Sequence, residues 1–248
     1  LKAEYGLWMY TTQDGGDSYL NLAAEALSAI GISSGKLLPK YSEVFSRDHK
    51  CNSEVVFALL NDQKEKITGG YYSYFYHPTN LIAAQYRNKP VPVSSTQWWC
   101  YSQEFIDVLN KSKADHNDSR VECNLGEGAY GASGQTLTWP NKFLGDMSKQ
   151  PVINDCDLLY YRYAYAVMMD AELKYYKKDY AGALASLNII AKRAYGIEDF
   201  YKTATRDAVL EALVNEYFLE FPAEGVIWWP LIRLDKIWDY NPELLAKK

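Results

Sequence analysis

Three glutamates spaced four residues apart, Glu216, Glu220 and Glu224, are the first residues whose types and spacing could do chemistry. Hydrolysis of a glycosidic bond uses two carboxyl groups that flank the bond, usually from different structural elements. Residues four apart on one helix instead lie side by side. We therefore expect these glutamates to pair with a neighbouring arginine or to cap a turn. A glycan hydrolase fragment that uses Glu220 or Glu224 is kept as an alternative.

A second motif has the letters of a nucleotide-binding loop, G-x-G-x-x-G, at residues 126–131, after a strand-like segment at residues 121–125. Such a loop must open directly into a helix, because the phosphate sits on that helix's N-terminus. Here serine, glycine, threonine and Pro140 follow within ten residues, which predicts no helix. We therefore do not expect nucleotide binding.

Histidine and cysteine do not form a catalytic or metal-binding pattern in this sequence. The histidines are far apart, and no G-x-S-x-G, H-E-x-x-H or P-loop motif is present. The polar segment D-H-N-D at residues 115–118 is typical of a solvated loop. The four cysteines, which permit three disulfide pairings, have no C-x-x-C spacing: Cys51, Cys100, Cys123 and Cys156. We predict no metal and no cofactor.

Aromatic residues make up 15% of the chain, with 22 Tyr and 7 Trp against only 8 Phe. A core would take Phe as readily as Tyr, whereas Tyr and Trp suit half-wet surfaces. Flat rings accept the C–H faces of sugars, so we predict ligand binding by two clusters in loop-like sequence, although some of these rings also pack the core: Tyr71, Tyr72, Tyr74, Tyr76, Trp98, Trp99 and Tyr101. If residues 98 and 99 are extended, one indole should bind while the other packs.

The elements that must position these residues are mostly helices. Apolar residues recur at helical spacing over residues 5–12 and 20–30, with a turn between them and Gly31 placed to cap the second helix. A second hairpin is predicted from residues 161–175 and 184–194, and residues 179–184 resemble the start of a tetratricopeptide second helix. Residues 210–221 form a full apolar stripe, and residues 226–238 a shorter aromatic one.

The middle of the chain is different in kind, because it is rich in Gly, Pro, Asn and Ser. It contains a strand-like run at residues 54–60, a short helix near residues 102–109 and a proline-rich segment at residues 89–93 that cannot be helical. We predict a mainly α fold: tetratricopeptide-like helical hairpins with a large irregular, loop-rich insertion that contains short strands. The predicted domains are residues 1–31, 32–156 and 157–248, with the ligand site in the second.

Charge and hydropathy exclude two classes of partner. The chain has 26 Lys plus Arg against 31 Asp plus Glu, a net charge of -5, so nucleic acid is not an expected partner. Its apolar runs are far shorter than the roughly 20 residues that span a bilayer. The N-terminus has no Met and no signal-like segment. We expect a piece of a longer chain.

Several segments carry a family resemblance in order and spacing, at residues 52–58, 118–120, 157–172, 182–188, 193–196 and 216–233. The last combines an acidic helix, Glu224-Gly225, an aromatic pair and Leu231-Ile232-Arg233. Together they resemble the C-terminal region of the SusD/RagB family. The sequence departs from that pattern at scaffold positions where the family commonly has Arg, Arg and Asp: Tyr217, Ile227 and Pro230.

The resemblance implies a non-enzymatic, surface-exposed lipoprotein of the outer membrane of Bacteroidetes-like bacteria, lipid-anchored through an N-terminal segment missing here. Such a protein binds a glycan or another polymer-derived nutrient and delivers it to a SusC-like TonB-dependent transporter. It implies no particular ligand residue, because binding loops differ between members. A tetratricopeptide-type scaffold that binds proteins is a further alternative, since one repeat match fits both.

Overall fold

The computed structural model describes residues 1–65, 71–149 and 152–241, apart from the side chains of Ser34, Tyr71 and Tyr72. The fold is mainly α, as predicted. The α-helices are α1 (Lys2–Thr12), α2 (Asp17–Ile30), α3 (Gln103–His116), α4 (Val121–Asn124), α5 (Tyr163–Tyr176), α6 (Tyr180–Tyr195), α7 (Arg206–Glu220), α8 (Trp228–Arg233) and α9 (Ile237–Tyr240). The strands are short: β1 (Val55–Leu59), β2 (His77–Pro78), β3 (Val93–Ser94), β4 (Gly126–Gly128), β5 (Leu137–Trp139) and β6 (Leu158–Arg162).

The chain divides into two compact units. One contains Leu1–Leu37 and Arg162–Lys248, and therefore α1, α2 and α5 to α9. The other contains Leu38–Tyr161, with short helices and three two-stranded sheets, β1-β6, β2-β3 and β4-β5. We retain the division into residues 1–31, 32–156 and 157–248 as a proposal. No helix in the described part of the chain has both the length and the apolar character to cross a bilayer.

The helical unit is built from the two predicted hairpins, α1 with α2 and α5 with α6. Gly31 ends α2 with a φ of 71°, and Gly196 ends α6 in the same left-handed region, which glycine adopts without steric cost. Asp179 begins α6, since its carboxylate accepts a hydrogen bond from the backbone N–H of Gly182 at 2.9 Å. The predicted cap at Gly31 is therefore confirmed, and Asp179 and Gly196 set the two ends of α6.

Three segments differ from the sequence prediction. The helix predicted from residue 161 begins instead at Tyr163, because residues 158–162 form β6, which pairs with β1. Residues 226–238 form two helices, because Asp235 adopts a positive φ between α8 and α9. Residues 121–125 were strand-like, but most of them form α4, whose first turn is closed by a hydrogen bond from the N–H of Val121 to the carbonyl of Asp118.

The stripe on α7 packs against α5 and α6, as its spacing predicts. Leu213, Tyr217 and Phe221 are buried, whereas Leu210 and Phe218 are half-buried. The ring of Phe218 packs against that of Tyr240, with 4.6 Å between the two ring centroids. The centre of the buried face is therefore Tyr217 and Phe221 rather than Phe218.

A buried ion-pair cluster joins the start of α5 to the end of α7. The guanidinium of Arg162 donates to Glu220 Oε1 at 2.7 Å and to Glu224 Oε2 at 2.6 Å. It also donates to the backbone carbonyl of Glu220 and lies 4.3 Å from the ring centroid of Phe221. Arg193 adds a second guanidinium to Glu220. Two cations thus face two carboxylates away from water.

A second buried cluster centres on Glu172 of α5. Arg233 donates to both of its carboxylate oxygens, at 2.6 and 2.9 Å. Tyr217 donates its hydroxyl to Glu172 Oε2 at 2.9 Å. Burial raises the pKa of the Tyr217 hydroxyl well above its ordinary value, so this group remains a neutral donor.

We predict that Phe221→Ala destabilises the helical unit by about 3 to 5 kcal/mol, the cost of removing an enclosed Phe ring. Phe221 is 1% exposed and contacts both Arg162 and Tyr165. Phe218→Ala is the matched control on the same helix, and it should cost clearly less because its ring is half-buried. Urea unfolding measures both changes, and equal losses for the two variants would contradict this assignment.

Candidate functional site

The aromatic segments of the insertion lie next to each other because a short parallel sheet joins them. The 3₁₀-helix Tyr71–Phe75 leads into β2, which pairs with β3 through His77 opposite Val93 and Pro78 opposite Ser94. After β3 the chain follows neither helix nor strand until α3 begins at Gln103. The residues from 95 to 101 must therefore be held by other contacts.

Three hydrogen bonds hold this stretch against the 3₁₀-helix. The backbone N–H groups of Trp98 and Trp99 both donate to the carbonyl of Tyr74, at 2.8 and 3.1 Å. The side-chain amide of Gln97 donates to the carbonyl of Phe75 at 3.0 Å. Sequence reasoning missed Gln97 and Phe75, since neither residue stands out by type or spacing. The three bonds place both indoles beside the ring of Tyr74.

We call Tyr74, Trp98 and Trp99 the aromatic platform. The Tyr74 ring lies 5.2 Å from that of Trp99 and 6.3 Å from that of Trp98, with interplanar angles of 73° and 71°. Trp98 is 71% exposed, and Trp99 and Tyr74 are each 43% exposed. Trp99 also packs edge-on against Phe75 at 5.5 Å. The two indoles thus differ in exposure, and the prediction that one binds while the other packs stays a prediction.

The remaining candidate residues occupy different positions. Tyr76 is 1% exposed, and its hydroxyl donates to the carbonyl of Phe143 at 2.9 Å, so its ring belongs to the core and is not presented to a ligand. Tyr101 is half-buried, with its ring 5.1 Å from that of Phe105. The side chains of Tyr71 and Tyr72 lie outside the described residues.

His77 lies in β2, two residues after the 3₁₀-helix that carries Tyr74. It is buried, and its Nε2 lies 2.9 Å from the carbonyl oxygen of Thr138. Within the described part of the chain, its Nδ1 is buried without a hydrogen-bond partner. Burial lowers the pKa of this imidazole below 6.5, against the opposing effect of the hydrogen bond to Thr138. The ring is therefore held in its neutral form, with Nε2 as the donor.

The G-x-G-x-x-G letters form a hairpin and not a phosphate loop. Strand β4 pairs antiparallel with β5, with Gly126 opposite Trp139 and Gly128 opposite Leu137. A Cβ at Gly126 would collide with the Trp139 indole. The glycines therefore serve close aromatic packing, and the expectation that no helix follows this motif is confirmed.

The spaced glutamates are engaged in structure, as expected. Glu220 and Glu224 pair with Arg162, and Glu216 accepts hydrogen bonds from the hydroxyls of Tyr195 and Tyr201 at 2.9 and 2.7 Å. Glu220 is fully buried. Carboxylates neutralised by buried arginines are not available to flank a glycosidic bond.

The other polar motif is only partly a solvated loop. Asp118 is buried, and its carboxylate receives two hydrogen bonds from the Arg120 guanidinium at 2.9 and 2.8 Å. In the described residues no group of three or more His, Cys, Asp or Glu side chains is arranged to hold a metal. The four cysteines are free thiols, two exposed (Cys51, Cys100) and two buried (Cys123, Cys156).

Comparison with known proteins finds similarity over nearly the whole length of this chain. The model of the SusD family matches residues 10–243. No curated protein matched the sequence. A SusD superfamily protein from Bacteroides fragilis aligns with a TM-score of 0.73 and 22% identity, over 93% of this chain and 51% of that one. Another from Parabacteroides distasonis gives 0.71 and 18%, over 94% and 50%.

A third similar structure is a surface glycan-binding protein A from Bacteroides thetaiotaomicron in complex with laminarihexaose. It aligns with a TM-score of 0.60 and 17% identity, over 94% of this chain and 53% of that one. At these identities the likeness shows the fold alone. The chain spans about half the length of the solved structures that it matches.

We predict that acid weakens the insertion through His77. Its folded pKa lies below its ordinary 6.5, so its contribution to stability is complete above pH 6.5 and is lost as the pH falls below that value. The melting temperature should fall between pH 7.5 and 5.5, and His77→Gln, which retains a donor for Thr138, should reduce this fall. His49→Gln removes an exposed histidine and should not change it. An unchanged pH dependence in the His77 variant would refute the assignment.

We predict that Glu220→Gln combined with Glu224→Gln destabilises the fold by about 3 to 5 kcal/mol, because buried arginines lose their counter-charges. Since both residues are structural, the affinity for any glycan that the unaltered protein binds should stay nearly intact in the double variant when it is measured below the melting temperature. A reducing-sugar assay of both proteins completes the test. Hydrolysis by the unaltered protein that disappears in the variant would contradict the structural role.

Proposed function

This chain belongs to the SusD family, and we propose that it binds a glycan, or another polymer-derived nutrient, without catalysing its breakdown. The single observation that carries this proposal is the exposed aromatic platform of Tyr74, Trp98 and Trp99. Three large rings are exposed together on two adjacent segments, which are joined by backbone hydrogen bonds from Trp98 and Trp99 to Tyr74. Contiguous exposed aromatic surface on a folded protein is typical of a binding site.

The chemistry of the platform suits sugars. A pyranose ring presents C–H groups on its faces and hydroxyl groups at its edges, so an indole can stack on the face without removing the hydroxyls from water. Exposed hydroxyl side chains adjoin the indoles in sequence, at Ser95, Thr96 and Ser102. They supply hydrogen-bonding partners for the sugar edges. Because the platform lies in a loop, its composition can differ between relatives that share the scaffold.

The comparisons support the proposal at the level of the family. A structural relative is named a surface glycan-binding protein and was solved with laminarihexaose. In this proposal the present chain has the same general task, with the platform as its contact surface. Its location is the bacterial outer membrane, where the whole protein is lipid-anchored and faces outward. Its partner is a SusC-like TonB-dependent transporter, to which it delivers the ligand.

The hydrolase alternative is not favoured, because its two candidate carboxylates are neutralised by Arg162 inside the helical unit. The platform itself offers no paired carboxylates, since residues 93–103 contain no acidic residue. Binding without cleavage is therefore the function that we assign.

We predict that Trp98→Ala lowers affinity several-fold to tenfold, because an aromatic contact contributes on the order of 1 kcal/mol. Its melting temperature should hardly change, since the indole is mostly exposed. Trp99→Ala should lower both affinity and melting temperature, because that ring also packs on Phe75. Isothermal titration with laminarihexaose, cellohexaose, maltohexaose and xylohexaose measures affinity, and thermal melts run in parallel.

The control for this experiment is Trp228→Ala, which removes an indole from α8 of the helical unit. The exposure of Trp228, 45%, is close to the 43% of Trp99. It should leave every affinity unchanged. If the unaltered protein binds one of these glycans and Trp98→Ala and Trp99→Ala bind it equally well, the platform is not the site. If it binds none of them or of a wider glycan array, glycan binding itself is refuted.

A further inference from the structure

The indoles of the platform sit on backbone that no regular element supports. The β2-β3 pairing ends at Ser94, and α3 begins only at Gln103. Between them, the N–H groups of Trp98 and Trp99 share one acceptor, the carbonyl of Tyr74. Two donors on a single oxygen fix the distance between the two segments. Their angle is restrained by the ring contacts of Trp99 with Tyr74 and Phe75 and by a polar contact at a second backbone carbonyl.

That contact is made by Gln97. Its Nε2 donates to the carbonyl of Phe75 at 3.0 Å, one residue beyond the shared acceptor. The side chain is half-buried, so this bond is partly shielded from water. Adjacent anchor points at Tyr74 and Phe75 together define both position and orientation. The ring of Phe75 in turn packs on Trp99 at 5.5 Å, which links the anchor to the indole.

We infer that Gln97 is a positioning residue for ligand binding, which holds the indoles of Trp98 and Trp99 in their binding orientation before the ligand arrives. This inference rests on the proposed function of the platform. Ordering mobile side chains during binding lowers affinity, so a group that orders them beforehand raises it. Gln97 therefore acts on affinity through Trp98 and Trp99 and need not touch the sugar.

The test replaces the amide donor by a group of almost the same shape. In Gln97→Glu the carboxylate can only accept hydrogen bonds, and it faces the carbonyl oxygen of Phe75. At pH 7 its Kd for the glycan hexasaccharide that the unaltered protein binds most tightly should rise about three- to tenfold. This is the loss expected when a single half-buried hydrogen bond is removed. The melting temperature should fall by only a few degrees, as the loss of one partly exposed hydrogen bond gives in a chain of this size, and the fluorescence anisotropy of the indoles should fall.

Acid provides a rescue that a merely structural role would not show. A carboxyl group next to a carbonyl oxygen is favoured in its protonated form, which again carries an O–H donor. Glutamate titrates at about pH 4.3 in model peptides. The ratio of the Kd values of Gln97→Glu and the unaltered protein should therefore shrink towards one between pH 7 and pH 4, with both proteins measured at each pH.

The matched control is Gln103→Glu, which introduces the same charge six residues away. Gln103 lies on the exposed first turn of α3, where its side-chain amide donates to Asp107 at 2.9 Å. It should leave Kd unchanged. If Gln97→Glu binds within twofold of the unaltered protein while Trp98→Ala is impaired, the positioning role is refuted and the platform stands. If Trp98→Ala and Trp99→Ala also bind normally, the proposed function fails and the inference fails with it.

Discussion

The ion pairs of Arg162 are the interactions on which the helical unit depends most directly. Arg162 is the last residue of β6, directly before α5, and it is where the chain returns to the helical unit after the insertion. There it binds Glu220, Glu224 and the face of Phe221. A buried charge without such partners would be very costly, so the cluster specifies a single arrangement of these segments. The start of α5 and the end of α7 are fixed together by this one side chain.

The same unit holds a second buried carboxylate, that of Glu172, with a mixed set of donors. Tyr217 supplies one neutral hydroxyl donor to Glu172. Arg233 already donates to both oxygens of that carboxylate, so a further cation is not required there. The Tyr217 ring fills the remaining space and contacts the rings of Tyr165 and Phe221. Both oxygens of the Glu172 carboxylate are thus satisfied by one cation and one neutral hydroxyl.

Helices whose apolar spacing is regular could be predicted from the sequence, and so could the glycine that ends α2. The strand at residues 158–162 could not, because its apolar and aromatic residues continue directly into the stripe of α5 and its identity depends on distant β1. The run of aromatic residues at 71–76 has no period that separates surface from core. Tyr76 is buried where its hydroxyl donates to the carbonyl of Phe143, whereas Tyr74 lies exposed beside the ring of Trp99. Both partners are distant in sequence.

This difference between the two units follows from how each one is stabilised. In the helical unit, local propensity and long-range packing agree, so the spacing of apolar residues predicts which segments are helical and which face of each is buried. In the insertion, single hydrogen bonds between irregular segments decide which rings face solvent. A shared carbonyl acceptor at Tyr74 holds the indole of Trp98, which is 71% exposed, beside that of Trp99, which is 43% exposed. Substitutions in such a loop can alter the exposed rings without disturbing the buried ion pairs of the helical unit, because the two sets of residues belong to different units.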